Sequence, residues 1–203
     1  MVESLGERLW DRFREGFRER LSHYCSRSCE RRIRLAWRWP AARTQHYGGC
    51  ILPRVADALG MDMRYEYLAG SMAQRVDWAL VPKGAAPTAH PLILIETEES
   101  HEKPGFAEIE KLALVPAPLK VLLLSWPWTG RAGAKADLLK EWRAIVGAHV
   151  PQQALLAAIV GQAAVTPVSG ELEAVTYFSH TLDLTRPDAD WVDEGTLIHF
   201  KCT

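Results

Sequence analysis

The chain has 203 residues, 48% of them hydrophobic and 24% charged, with a formal net charge of −1. That is enough apolar chain to bury a sizeable core in one ordinary globular domain, and it excludes a disordered polymer. No stretch approaches the roughly 18 apolar residues of a membrane span, and the chain is charged by Glu3 rather than opening like a signal peptide, so a cytoplasmic protein without a membrane partner is expected.

The net charge hides an asymmetry. Residues 1–50 carry 11 arginines, no lysine and six acids, a net of +5, whereas residues 51–110 carry five bases and ten acids, a net of −5. An all-arginine basic quarter suits phosphate contacts, because the guanidinium fork matches phosphate oxygens. It equally suits a solvated helix face of Glu and Arg pairs at helical spacing, and that reading is favoured for most of these arginines.

Leu5, Leu9, Phe13, Phe17, Leu21 and Cys25 recur every fourth residue, so residues 3–25 are expected to form one amphipathic helix, its stripe lying on the chain's own sheet or on a dimer seam. A second helix is expected over 27–38, stopping before Pro40, and a third over 51–59, stopped by Gly60. The period then changes to that of strands at 62–68 and 74–81, joined by a turn at Ala69-Gly70-Ser71, with a third strand within 91–100. The polar segment at 99–105 leads to a helix near 106–114, closed by Pro116 and Pro118, and to a buried strand at 119–126. A helix near 136–146 follows. The run QALLAAIVGQ fits a strand or a helix, ELEAVTYFSHTL fits a strand, and TLIHFK is strand-like with no obvious partner.

Two of these strands carry acids where a buried strand should have none: Asp77 in RVDWALVP, and Glu96 and Glu98 in PLILIETEES. A carboxylate moved out of water is costly unless paired, hydrogen-bonded or bound to metal. Side chains alternate along a strand, so Glu96 and Glu98 share a face, and Asp77 can reach them if the two strands are neighbours. Converging carboxylates suit Mg²⁺ or Mn²⁺ better than zinc, and clustered without metal they should raise at least one pKa. Glu66, on the strand before, is a weaker candidate for the same cluster.

Other chemistries fit less well. Four cysteines (Cys25, Cys29, Cys50, Cys202) are too few and too irregular for a disulfide framework, and Cys25 and Cys29 with His23 and His46 do not match common zinc spacing. Cys50 in HYGGC could act as a nucleophile beside glycine amides, but reads better as a buried cysteine after a loop. Trp37 and Trp39, beside Arg34, Arg38 and Arg43, could stack on unpaired bases, as could Trp126 and Trp128; core anchoring is the commoner use of tryptophan.

The order helix, three strands, helix, strand, with Asp77 and Glu96 on the second and third strands, resembles the PD-(D/E)XK nuclease superfamily over residues 47–126. The resemblance implies an α/β fold, a restriction-endonuclease-like αβββαβ core on a mixed sheet, preceded by a basic helical extension (1–46) and completed by a C-terminal helix and strands (127–203). It implies that Asp77 and Glu96 hold catalytic Mg²⁺ or Mn²⁺. Glu98 stands where the family's E-x-K lysine is found, so the motif is E-x-E, with Glu98 a further ligand or a general base. Some family members carry the lysine on the following helix, where Lys111 lies here; Lys111 could equally pair with Glu108 at i, i+3. The implied activity is metal-dependent hydrolysis of nucleic acid, with DNA the expected substrate and a homodimer a possible assembly. The alternative is a catalytically silent protein of the same fold that binds nucleic acid or serves as an assembly subunit.

Overall fold

The computed structural model describes residues 3–24, 37, 39–69, 74–98, 104–129, 133–149, 152–167 and 169–201. Five α-helices accompany seven strands in these residues: α1 (Leu5–Tyr24), α2 (Pro40–His46), α3 (Leu52–Leu59), β1 (Met61–Ala69), β2 (Gln74–Pro82), β3 (Ile93–Glu98), α4 (Phe106–Leu114), β4 (Leu119–Ser125), α5 (Ala134–Gly147), β5 (Leu155–Val165), β6 (Leu172–Asp183) and β7 (Val192–Lys201). The strands form one mixed α/β sheet in the order β1-β2-β3-β4-β5-β6-β7. β3, β4 and β5 are parallel, and the remaining neighbours are antiparallel. Each parallel step crosses over through a helix, α4 and then α5, as parallel neighbours require.

The sheet is covered on both faces, which explains the continuous apolar runs in its centre. On one face, Leu9, Phe13, Phe17 and Leu21 of α1 and Leu52 and Val55 of α3 meet Ile93, Ile95, Val121 and Ile159. The stripe of α1 therefore lies on the chain's own sheet. On the other face, Ile109 and Leu112 of α4 and Leu138 and Trp142 of α5 meet Leu94, Leu122, Leu156 and Val160. Burying these side chains contributes about 1.5–3 kcal/mol each against the entropy of ordering them.

Two expectations change, and one left open is decided. Pro40 opens α2 rather than merely ending the helix before it; its fixed φ and missing N–H suit a first helical turn. Residues Tyr47–Ile51, expected as a loop up to Cys50 with a helix from 51, form a π-helical stretch that joins α2 to α3. QALLAAIVGQ resolves to a strand, β5, buried on both faces despite its alanines. Gly60 ends α3 in the left-handed conformation (φ 69°), as a C-terminal glycine should. TLIHFK belongs to β7 and pairs with β6. The helix expected over 27–38, apart from Trp37, and the turn before β2 lie outside the described residues, as do Cys25, Cys29 and Cys202.

The β1–β2 hairpin turns over at one level. Its ladder runs from Met61 opposite Pro82 to Ala69 opposite Gln74, and Glu66 and Asp77 are the level at which pairing is interrupted. Glu66 has φ 45°, in the left-handed region. Met63 and Trp78 lie on the α1 face, but Tyr67 and Val76, which regular alternation would put on that same face, lie on the α4 face.

Trp78, next to the turnover, fits against Gly48: a Cβ on Gly48 would lie 2.9 Å from the indole ring. The glycines of HYGGC thus have a packing role. Gly48→Ala should lower stability by about 1–3 kcal/mol, read by urea unfolding; an unchanged midpoint would contradict this close approach.

Candidate functional site

The site forms where β2 and β3 part. Their ladder extends from Leu80 opposite Ile93 to Trp78 opposite Ile95. Beyond it, the Asp77 carboxylate takes over as acceptor for β3: Thr97 donates its amide (2.9 Å) and its hydroxyl (2.8 Å) to Asp77 Oδ2. Oδ1 stays outside these two bonds.

Glu96 follows Leu94 on the face covered by α4, and its side chain is 1% exposed. Lys111 of α4 reaches down to it, Nζ lying 2.8 Å from Glu96 Oε2, while the other oxygen, Oε1, is buried with no hydrogen-bond partner. The same ammonium is 3.9 Å from Glu108 Oε1, one helical turn earlier. Of the two readings of Lys111, the shorter contact is therefore to the strand glutamate. Glu98, the next residue of β3 on this face, hydrogen-bonds Glu108, whose Oε2 is also buried and unpartnered.

Glu96, Glu108 and, through its charge, Asp77 thus act on one ammonium. Burial raises Glu96 most; the hydrogen bond from Lys111 opposes this, the charge of Asp77 adds to it, and the result is about 8 against an ordinary 4.5. Glu108 is pushed to about 7 by burial first and then by its hydrogen bond to Glu98. Burial lowers Lys111, but the hydrogen bond and charge of Glu96 more than offset it, so the ammonium is held above its usual range.

The remaining sequence candidates lie elsewhere. Glu66 is exposed and faces Arg75 at 3.4 Å. Cys50 is half-buried and reduced in the π-helical stretch. Trp37 stands edge-on to Tyr177 with Arg43 5.1 Å above its ring, and Trp128 stacks on Trp142, so both serve the interior. On α1, Arg14 pairs with Asp11 and Glu194, and Arg18 with Glu15. That helix covers the sheet face opposite Glu96.

The sequence reading missed Glu108 and Thr97. Glu108 and Lys111 flank the buried Ile109 and Leu112 of α4, a spacing that marks both as side chains at the edge of the buried face. Thr97 gave no signal, being an ordinary β-branched strand residue. Among the described residues, no group of three or more His, Cys, Asp or Glu side chains is arranged to hold a metal ion, and no helix is long and apolar enough to cross a membrane. No protein-family model, curated protein or solved structure matches this chain.

Between about pH 4.5 and 8 the folded chain keeps a proton on Glu96 that the unfolded chain has lost, so this group makes stability fall as pH rises through that window. Glu96→Gln, which cannot ionise, should melt higher than the parent by about 3 °C or more in metal-free buffer at pH 8, with the gap closing towards pH 5. A lower melting point at pH 8 would show that the ionised Glu96–Lys111 pair stabilises the fold instead.

Proposed function

We propose that this chain is a divalent-metal-dependent hydrolase of phosphodiester bonds in nucleic acid, with DNA the expected substrate. The observation that carries the reading is Glu96: a carboxyl buried on a covered sheet face, with one oxygen on Lys111 and the other unpartnered. A structural protein gains nothing from that arrangement, because each buried unpartnered polar atom costs about 1–3 kcal/mol. The succession α3, β1, β2, β3, α4, β4, with Asp77 and Glu96 beside the parting of β2 and β3, supports a restriction-endonuclease-like core.

The residues present fit Mg²⁺ or Mn²⁺. Glu96 Oε1 is an unsatisfied hard donor, and Asp77 keeps one oxygen outside its bonds to Thr97. Magnesium is commonly held by only one or two carboxylates together with water and substrate phosphate, so a third protein ligand is not required. When bound, the cation would lower the pKa of a water and offset charge on the phosphate.

Asp77 and Glu96 would hold the ion. Lys111 would place its ammonium against the charge that builds on the phosphoryl oxygens, supplying from α4 the cation that E-x-E lacks. Glu98, hydrogen-bonded to Glu108, would serve as a further ligand or as a general base.

A second reading, a silent protein that binds nucleic acid or serves in an assembly, draws on the same ion pair, since Lys111 already neutralises part of the charge that a metal would. Cleavage separates the two. Supercoiled and single-stranded DNA should be cut in Mg²⁺ or Mn²⁺ but not in EDTA, with Glu96→Gln losing about 100-fold or more and Lys111→Ala about 10- to 100-fold. A folded parent that cuts nothing, or a Glu96→Gln variant that cuts at full rate, would overturn the nuclease reading.

A further inference from the structure

We propose that Thr97 is a positioning residue of this site, holding the Asp77 carboxylate so that its remaining oxygen is available to the cation shared with Glu96. The proposal rests on the metal-dependent reading above.

Asp77 stands where the β1–β2 hairpin turns over and its ladder to β1 is interrupted. Thr97 ties the Asp77 carboxylate to β3: amide and hydroxyl donate to the same oxygen, Oδ2, at 2.9 and 2.8 Å. Two donors hold that oxygen more firmly than one can, and hydrogen bonds to an ionised acceptor are the stronger kind. Thr97 is also the middle residue of E-x-E, so the residue that carries Glu96 and Glu98 on either side also ties down the acid of the neighbouring strand. Carboxylates that hold metals are commonly oriented in this way by partners that do not touch the ion.

The amide donor survives any substitution except proline, whereas the hydroxyl survives only in serine. Thr97→Val keeps the branched shape and loses only the O–H; Thr97→Ser keeps the O–H and loses only a methyl group. Mn²⁺ affinity, from electron paramagnetic resonance of the free ion, and DNA cleavage are measured together on the full chain. Thr97→Val should bind Mn²⁺ about tenfold more weakly and cut about tenfold more slowly, with an unchanged circular dichroism spectrum. Thr97→Ser should restore both, and in an Asp77→Asn background Thr97→Val should add no further loss of affinity. If Thr97→Val does not fold, Thr97→Ala is read in the same way.

The proposal is overturned if Thr97→Val binds and cuts like the parent while Glu96→Gln does neither. A parent that neither binds Mn²⁺ nor cuts DNA gives a different pattern: it overturns the metal-dependent reading, and the role of Thr97 falls with it.

Discussion

The site depends on the desolvation of one carboxyl group. Glu96 lies at the level where β3 emerges from between two helical layers, and α4 leaves its side chain 1% exposed. A charge there cannot be carried by water, so it must be met by a proton, an ammonium or a metal ion. Lys111 meets half of the requirement and leaves Oε1 unsatisfied. Asp77, Glu98 and Glu108 add to the negative side of the same region. The fold accepts this cost over a small patch of a sheet whose central strands are otherwise filled by Leu, Ile, Val and Ala. Such a local cost, offset elsewhere in the fold, fits the proposed role of the patch, since functional sites commonly give up stability.

Two departures from regular sheet geometry border the patch. The hairpin turns over at Glu66 and Asp77, beyond which Val76 and Tyr67 change face. β2 and β3 then part, and a side chain replaces the backbone as acceptor for Thr97. Helix α4 follows β3 directly in the chain and sets Glu108 and Lys111 over Glu98 and Glu96. The cluster therefore comes from two adjacent strands and the next helix, all within residues 77–111.

Much of this was legible in the sequence because burial leaves strong marks. Leu92–Ile95 could hardly be anything but a central strand, and acids set into such a run demand an explanation. The four-residue stripe on α1 and the stop at Gly60 follow from helix geometry alone. What escaped was set by tertiary contacts. Pro40 can end one helix or begin another, and neither the π-helical stretch after it nor the fit of Gly48 against Trp78 has a mark in the sequence. A positive φ at a glutamate, as at Glu66, has no signature in the sequence. Lys111 looked as well suited to Glu108 as to Glu96, since helical spacing is local and the strand beneath it is not. Of the arginines in the basic quarter, Arg14 and Arg18 pair with Asp11, Glu15 and Glu194 on the opposite face of the sheet, the solvated-face reading of such spacing.

The central claim is that Asp77 and Glu96 together form the seat of a divalent cation. Anomalous diffraction from crystals soaked in Mn²⁺ tests it most directly. A manganese peak bound by both carboxylates is expected, absent from Glu96→Gln crystals treated identically. A well-occupied Lys111–Glu96 pair with no anomalous density beside it, at millimolar Mn²⁺ and neutral pH, would contradict the account and leave the ion pair as a structural feature of the fold.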